Sequence, residues 1–203
     1  EPMLESHLIS NCTLCTLGIE GVFLAETYFY SAGSSDVDVL LRSHNALIVK
    51  INTIWQHRQK KLPYKTVHEL LVAASIIEKE TALSNEKTLI SAVIVNRLRR
   101  NMRLQMDPTV IYGLGKRYQY PLKRRDLRIN TPYNSYLNKG LPPTPICNVG
   151  KEALYAAAHP KRVDYLYFVA TIDGKHHFSK TLAEQIIAVN KLRAQKINRG
   201  RHD

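Results

Sequence analysis

An apolar run, Leu70-Leu71-Val72-Ala73-Ala74-Ser75-Ile76-Ile77, is followed directly by three charged residues, Glu78-Lys79-Glu80. At about 100° per residue, the apolar stripe of a helix here contains Leu70, Ala73, Ala74, Ile76 and Ile77. Glu80 follows Ile77 by three positions, Ile76 by four and Ala73 by seven, so it lies over the apolar face. Lys79 points nearly the opposite way, and Glu78 falls on the flank above Leu71 and Ala74. Thr66 is placed to cap this helix at its start. An earlier helix is expected from about 37 to 60, capped within Ser34-Ser35-Asp36, with a break at Pro63. A later one is expected after the turn LSNEKT, capped by Ser84 or Asn85 and running to about 102. Residues 103–147 hold six prolines and three glycines and read as a long, loop-rich segment. A short helix is expected at GKEALYAAAHP, then a hairpin turning at Asp173-Gly174, then an amphipathic helix over 182–197. Residues 1–17 show no clear period and read as an irregular N-terminal remnant, with EGVFLAETYFY (20–30) as a short strand or extended loop. The pattern as a whole predicts a helix-rich α+β fold: a helix pair around the charged run, the loop-rich segment, the hairpin and a closing helix.

Composition adds three constraints. The chain has 203 residues with 44% hydrophobic content, enough for a packed core. No run of 18 apolar residues appears, so no membrane span is expected within it. The formal net charge of +12 favours a polyanionic partner without choosing among nucleic acid, an acidic membrane surface and an anionic polymer. The three cysteines, Cys12, Cys15 and Cys147, are too few for a disulfide framework, and a lone Cys12-x-x-Cys15 is read as incidental rather than as a zinc or redox site.

Glu80 is the first candidate for chemistry. A carboxyl group held over apolar side chains disfavours its charged form, and a raised pKa is what a general acid needs near neutrality. Glu78 is the secondary candidate acid. The opposing reading is the ordinary charged end of a helix. Gln105, Asp107, Thr109 and Tyr112 put polar groups among apolar neighbours, and TPYNSY (131–136) adds Tyr133, Asn134 and Tyr136. Amides that bond N-acetyl groups and rings that stack on sugar faces suit a carbohydrate, while Asn and Tyr beside Pro equally make turns. Asp107, before Pro108, is read as ordering its own loop. The basic runs RLRRNMR (97–103) and KRRDLR (123–128) read as solvated faces, with attraction for the carboxylates of peptide stems as the functional alternative. His176-His177 is read as structure or substrate contact rather than a metal site, and Gly113-Leu114-Gly115-Lys116 lacks the spacing of a phosphate-binding loop.

ASIIEKET, VNRLRRNMRLQMDPTVIYGLG, TPYNSYLNKGLPPTPICNVG, ALYAAAHP and YLYFVATIDGKHHFSKT occur in that order. Together they resemble the MltG-type (YceG-like) endolytic murein transglycosylases. The segment EGVFLAETYFY is similar to the family's upstream motif, with Ala25 where proline is usual. The resemblance covers roughly residues 18–190 and implies that 18–203 form the catalytic domain. It implies non-hydrolytic cleavage of peptidoglycan between N-acetylmuramic acid and N-acetylglucosamine, leaving 1,6-anhydro ends and terminating nascent strands. The catalytic Glu of the family falls on Glu80. Gln105, Tyr133, Asn134 and Tyr136 are the implied substrate-binding residues. No cofactor or metal is implied. The implied partners are glycan strands and a peptidoglycan synthase complex. The implied location is the inner membrane with the catalytic part in the periplasm, through an N-terminal anchor outside this chain, as is any LysM-like subdomain. The competing class is a non-catalytic basic domain that binds peptidoglycan or nucleic acid. It would show steep salt dependence on nucleic acid, but no nucleic-acid motif accompanies the charge.

Overall fold

The computed structural model describes residues 19–199. The irregular segment expected over 1–17, with Cys12 and Cys15, lies outside the described residues. Six α-helices and one two-stranded sheet are described: α1 (Asp36–Gln56), α2 (Val67–Glu80), α3 (Ser84–Arg99), α4 (Asp107–Leu114), α5 (Lys151–Ala158), β1 (Tyr167–Ala170), β2 (His176–Ser179) and α6 (Leu182–Arg199).

Helix α2 is the centre of the molecule because it is apolar almost all round. Every residue from Leu70 to Ile77 is buried, as expected for a helix with no polar face to give to water. It packs most extensively on α5, whose small residues Ala153, Ala156 and Ala157 allow close approach, and also against α3, α1 and α4. Leu47, Ile51, Ile76, Ile77, Ile90, Val93, Ile94 and Leu154 belong to one continuous core. Ile77→Val removes one buried methyl beside the charged end of α2 and is expected to lower stability by about 1 kcal/mol, read from the urea midpoint.

The caps explain where helices begin. Ser35 accepts from the Asp38 amide and Asp38 reaches back to the Ser35 amide, a capping box for α1. Helix α1 stops at Gln56, four residues before the expected end. Thr66 caps α2 through the Glu69 amide. Helix α3 starts at Ser84 without a side-chain cap; Leu83 occupies the cap position, and the serine and asparagine expected there are already helical. The connection 81–83 is closed by Thr81, whose extended backbone ends α2 and whose hydroxyl accepts from the Leu83 amide at 3.0 Å.

Residues 103–147 are not loop throughout, which corrects the sequence expectation. They contain α4, with Asp107 and Pro108 in its first turn and Gly115 after its last residue, together with 3-10 turns at Gly115–Arg117 and Asp126–Arg128. Proline in a first turn and glycine beyond the last are helix boundaries as much as loop markers. Within α4, a side chain at Gly113 would collide with the Thr131 hydroxyl, so glycine lets the helix lie against the 131–136 segment. The hairpin turns at Asp173-Gly174 as expected, with Gly174 at φ +77°, and pairs Tyr167 with Ser179 and Ala170 with His176. Residues 20–30 form no strand; a single parallel bridge joins Leu24 to Val149. No described helix is long and apolar enough to cross a membrane.

Candidate active site

The helical phase that sets Glu80 over the apolar face is realised at the last residue of α2. Glu80 is half-buried, Lys79 is exposed, and Glu78 lies to the side. Burial pushes the Glu80 carboxyl up to about 8 from 4.5; the nearby Asp107 carboxylate adds to the rise, and the Arg97 guanidinium opposes it. The negative end of the helix dipole acts in the same direction as burial. No group among the described residues hydrogen-bonds this carboxyl.

Glu78, equally half-buried, differs in its partners. Its two oxygens accept from Lys87 Nζ at 3.2 and 3.3 Å, and one accepts from the Gly150 amide at 3.2 Å. It ties the end of α2 to α3 and to the first turn of α5. Its lone pairs are committed to structure, so the secondary candidate acid is an anchor. Glu78→Gln is expected to lower stability by about 1–2 kcal/mol while leaving any turnover within a few-fold, checked by denaturation and by product release on the same preparation.

Arg97 was not singled out from the sequence, where it sits in a basic run read as a solvated face. It is buried. Its guanidinium donates to the carbonyls of Leu166 (2.6 Å), Leu104 and Arg103 (3.3 Å), and to Gln105 Oε1 at 3.4 Å. It also lies 5.2 Å from the centre of the Tyr167 ring. No carboxylate among the described residues forms an ion pair with it, so its charge is left to act on the nearby Glu80. A signal was available: Arg97 follows Ile90, Val93 and Ile94 by seven, four and three positions, the phase of the buried face of α3.

The loop residues divide into two groups. Gln105 is exposed and held at φ +50°, a left-handed conformation that glutamine rarely adopts. Its backbone N–H donates to the Ser135 carbonyl at 3.1 Å. Tyr136 is half-buried and its hydroxyl donates to Asp107 Oδ1 at 2.6 Å; burial and that carboxylate hold its phenol above the usual range. Asp107 therefore partners Tyr136 of the 131–136 segment instead of ordering its own loop. Asn134, expected to contact substrate, is fully buried. Its amide nitrogen donates to the carbonyls of Leu127 (3.1 Å) and Ile129 (2.8 Å), and its oxygen accepts from the Tyr136 amide. That amide is used up in shaping the loop that presents Tyr136. Tyr133 donates to or accepts from Thr144 at 2.7 Å and packs edge-on against Tyr112, with ring centroids 4.7 Å apart.

A buried hydroxyl pair locks these pieces together. Ser135 Oγ accepts from the Met106 amide at 2.9 Å and shares a 2.7 Å hydrogen bond with Thr109. This clamp, which sequence reasoning did not isolate, fastens the start of α4 to the 133–136 segment. His176 is held by Glu86: its amide donates to Oε1 at 2.9 Å, and its Nδ1 lies 2.6 Å from Oε2. Its role is to dock the hairpin on the first turn of α3. Cys147 is a free thiol that burial pushes up to about 12.

A helix-rich α+β scaffold thus presents one desolvated, unpartnered carboxyl beside an arginine, an amide and a phenol held by clamped loops. The chain belongs to the YceG-like family, which it matches over residues 4–191. It is 37% identical over 180 residues to an endolytic murein transglycosylase of Bacillus subtilis, covering 88% of this chain and 49% of that protein. It is 34% identical over 166 residues to an endolytic murein transglycosylase of Streptococcus pneumoniae, covering 79% of this chain and 30% of that protein. The fold matches the crystal structure of a YceG-like protein from Listeria monocytogenes with a TM-score of 0.76 at 35% identity, over 92% of this chain and 62% of that one. The chain spans about half the length of the Bacillus relative and less of the pneumococcal one.

Proposed function

We propose that this chain is an endolytic lytic transglycosylase acting on peptidoglycan glycan strands, with Glu80 as its acid, and that residues 18–203 form the catalytic domain. The observation that carries the reading is the state of Glu80: a half-buried carboxyl raised to about 8, with no hydrogen-bond partner among the described residues, within reach of the charges of Arg97 and Asp107 and beside Tyr136. The named activity of its relatives fits a single such acid.

The chemistry runs as follows. Glu80 donates its proton to the glycosidic oxygen as the bond from C1 of N-acetylmuramic acid breaks, and the N-acetylglucosamine side leaves as an alcohol. The substrate's acetamido group stabilises the anomeric carbon. The Glu80 carboxylate then takes the proton from the C6 hydroxyl of the same sugar, whose oxygen closes onto C1. One proton is given and one recovered, and no water enters. The internal hydroxyl outcompetes water because it is tethered at high effective concentration. Arg97 stabilises the carboxylate between the two transfers. Gln105 and Tyr136 orient the sugar, and Tyr133, packed on Tyr112, contacts it. Asn134 serves by shaping the loop that carries Tyr136. Asp107 keeps the Glu80 proton in place before the reaction rather than activating water.

The test is digestion of purified sacculi followed by mass spectrometry. Products ending in 1,6-anhydro-muramic acid are expected. Products with reducing ends would assign a hydrolase using Glu80 and Asp107 as a carboxylate pair. The same reading places the domain outside the cytoplasm, tethered to the inner membrane through a segment beyond this chain, beside a synthase whose strands it terminates. The family likeness supports this. A nucleic-acid role draws support only from the net charge.

A further inference from the structure

Asn96 and Arg97 are adjacent on α3 and diverge by about 100°, so the helix offers Arg97 to Glu80 and Asn96 to a different face. On that face lies a concavity of about 590 Å³ between α3, the 59–61 turn and the 160–164 segment. Its apolar floor is Ala92 and Val95. Lys60, Lys61, Arg99, Lys161 and Arg162 line it, facing the single carboxylate of Asp164. None of these five cations takes part in an ion pair among the described residues.

The walls are fixed independently of any ligand. Gln59 donates through its amide to the Ala158 carbonyl at 3.0 Å and through Nε2 to the Pro160 carbonyl at 3.1 Å. The Lys161 amide donates to the Thr88 carbonyl at 3.0 Å, and Asn96 Nδ2 donates to the carbonyls of Val163 (2.8 Å) and Tyr165 (3.0 Å). Arg99 spends one nitrogen on the Lys61 carbonyl at 2.9 Å, which leaves the rest of its fork for a ligand. Lys61 itself is held at φ +63°. Like charges gathered in a preorganised hollow repel one another, and a bound anion relieves that repulsion. Two guanidinium forks and three ammonium groups fit the oxygens of a phosphate better than a lone carboxylate.

We propose that this concavity is a phosphate-binding site, lined by none of the residues assigned to the glycan and independent of the reading of Glu80. The ligand is a phosphate mono- or diester seated within the hollow. The test titrates the full chain with pyrophosphate by calorimetry, with amide shifts mapping the contact. Saturable one-to-one binding is expected, centred on 59–61, 96–99 and 161–163. Lys161→Glu with Arg162→Glu should weaken it by about tenfold or more, whereas Lys123→Glu with Arg124→Glu, an identical charge change elsewhere, should weaken it by less than about twofold. If the pocket reversal fails to fold, Lys161→Gln with Arg162→Gln makes the same comparison. Vesicles of phosphatidylglycerol identify the source. Binding that pyrophosphate displaces assigns a lipid headgroup, and no vesicle binding with pyrophosphate binding intact assigns a soluble or polymer phosphate; both support the site. No saturable binding of pyrophosphate by the folded chain, or equal weakening in the two double variants, overturns it.

Discussion

Glu80→Gln is expected to reduce release of anhydro-muropeptides by about three orders of magnitude while leaving the fold intact, the scale of losing a positioned general acid. Muropeptide mass spectrometry reads the first effect and circular dichroism the second. Persistence of product would move the acid elsewhere. The pH dependence has a definite sign. Burial, with Asp107 second, holds the carboxyl up to about 8, so near pH 7 about nine molecules in ten carry the proton to be donated, against well under one in a hundred for an ordinary glutamate. Activity should therefore fall as pH rises through about 8. Stability has the same sign. A carboxyl whose pKa is raised in the folded state contributes fully below its unfolded value of 4.5, and that contribution is lost as pH rises through about 8. Glu80→Gln removes this titration, so the variant's melting temperature should gain on the parent's between pH 5 and pH 9.

Arg97→Met is expected to be the most damaging substitution outside the acid itself. It keeps the apolar stem but leaves the carbonyls of Leu166, Leu104 and Arg103 without their donor. A loss of about 3 kcal/mol is expected from the urea midpoint. A kinetic consequence separates this from simple destabilisation. Arg97 favours the charged form of Glu80, so its removal should carry the alkaline limb of the pH profile to higher pH. Turnover should also fall by about tenfold, because the carboxylate formed in mid-reaction loses its cation. A limb that stays in place would show that the two side chains are not coupled.

Both residues obey one rule, and only one of them was legible from the sequence. Glu80 stood out because a carboxyl at the buried phase of an apolar helix is unusual. Arg97 occupies the equivalent phase on α3, but its neighbours Arg99, Arg100 and Arg103 made the whole run look solvated. Helix α4 is hidden for a similar reason: Pro108 and Gly113 read as loop residues in the sequence, while one lies in the first turn of a helix and the other lets it approach Thr131. The role of Asn134 could not be read at all. Its amide could serve a sugar or a backbone carbonyl, and only the path of residues 127–129 decides which. The caps at Ser35 and Thr66 and the hairpin turn at Asp173-Gly174 are readable because each depends on neighbours within a few residues, whereas the expected cap at Ser84 or Asn85 is not realised.

The anchoring of Glu78 bears on how steadily the acid is aimed. The final turn of a helix is where backbone hydrogen bonds open most readily, because the last carbonyls have no successor to hold them. Glu80 occupies that turn. Two residues earlier, Glu78 is fastened to Lys87 on one neighbouring helix and to the Gly150 amide at the head of another. Fraying of α2 would have to break both attachments, so Glu80, the proposed proton donor, stands on a splinted end, steadied by a carboxylate turned toward Lys87 and Gly150.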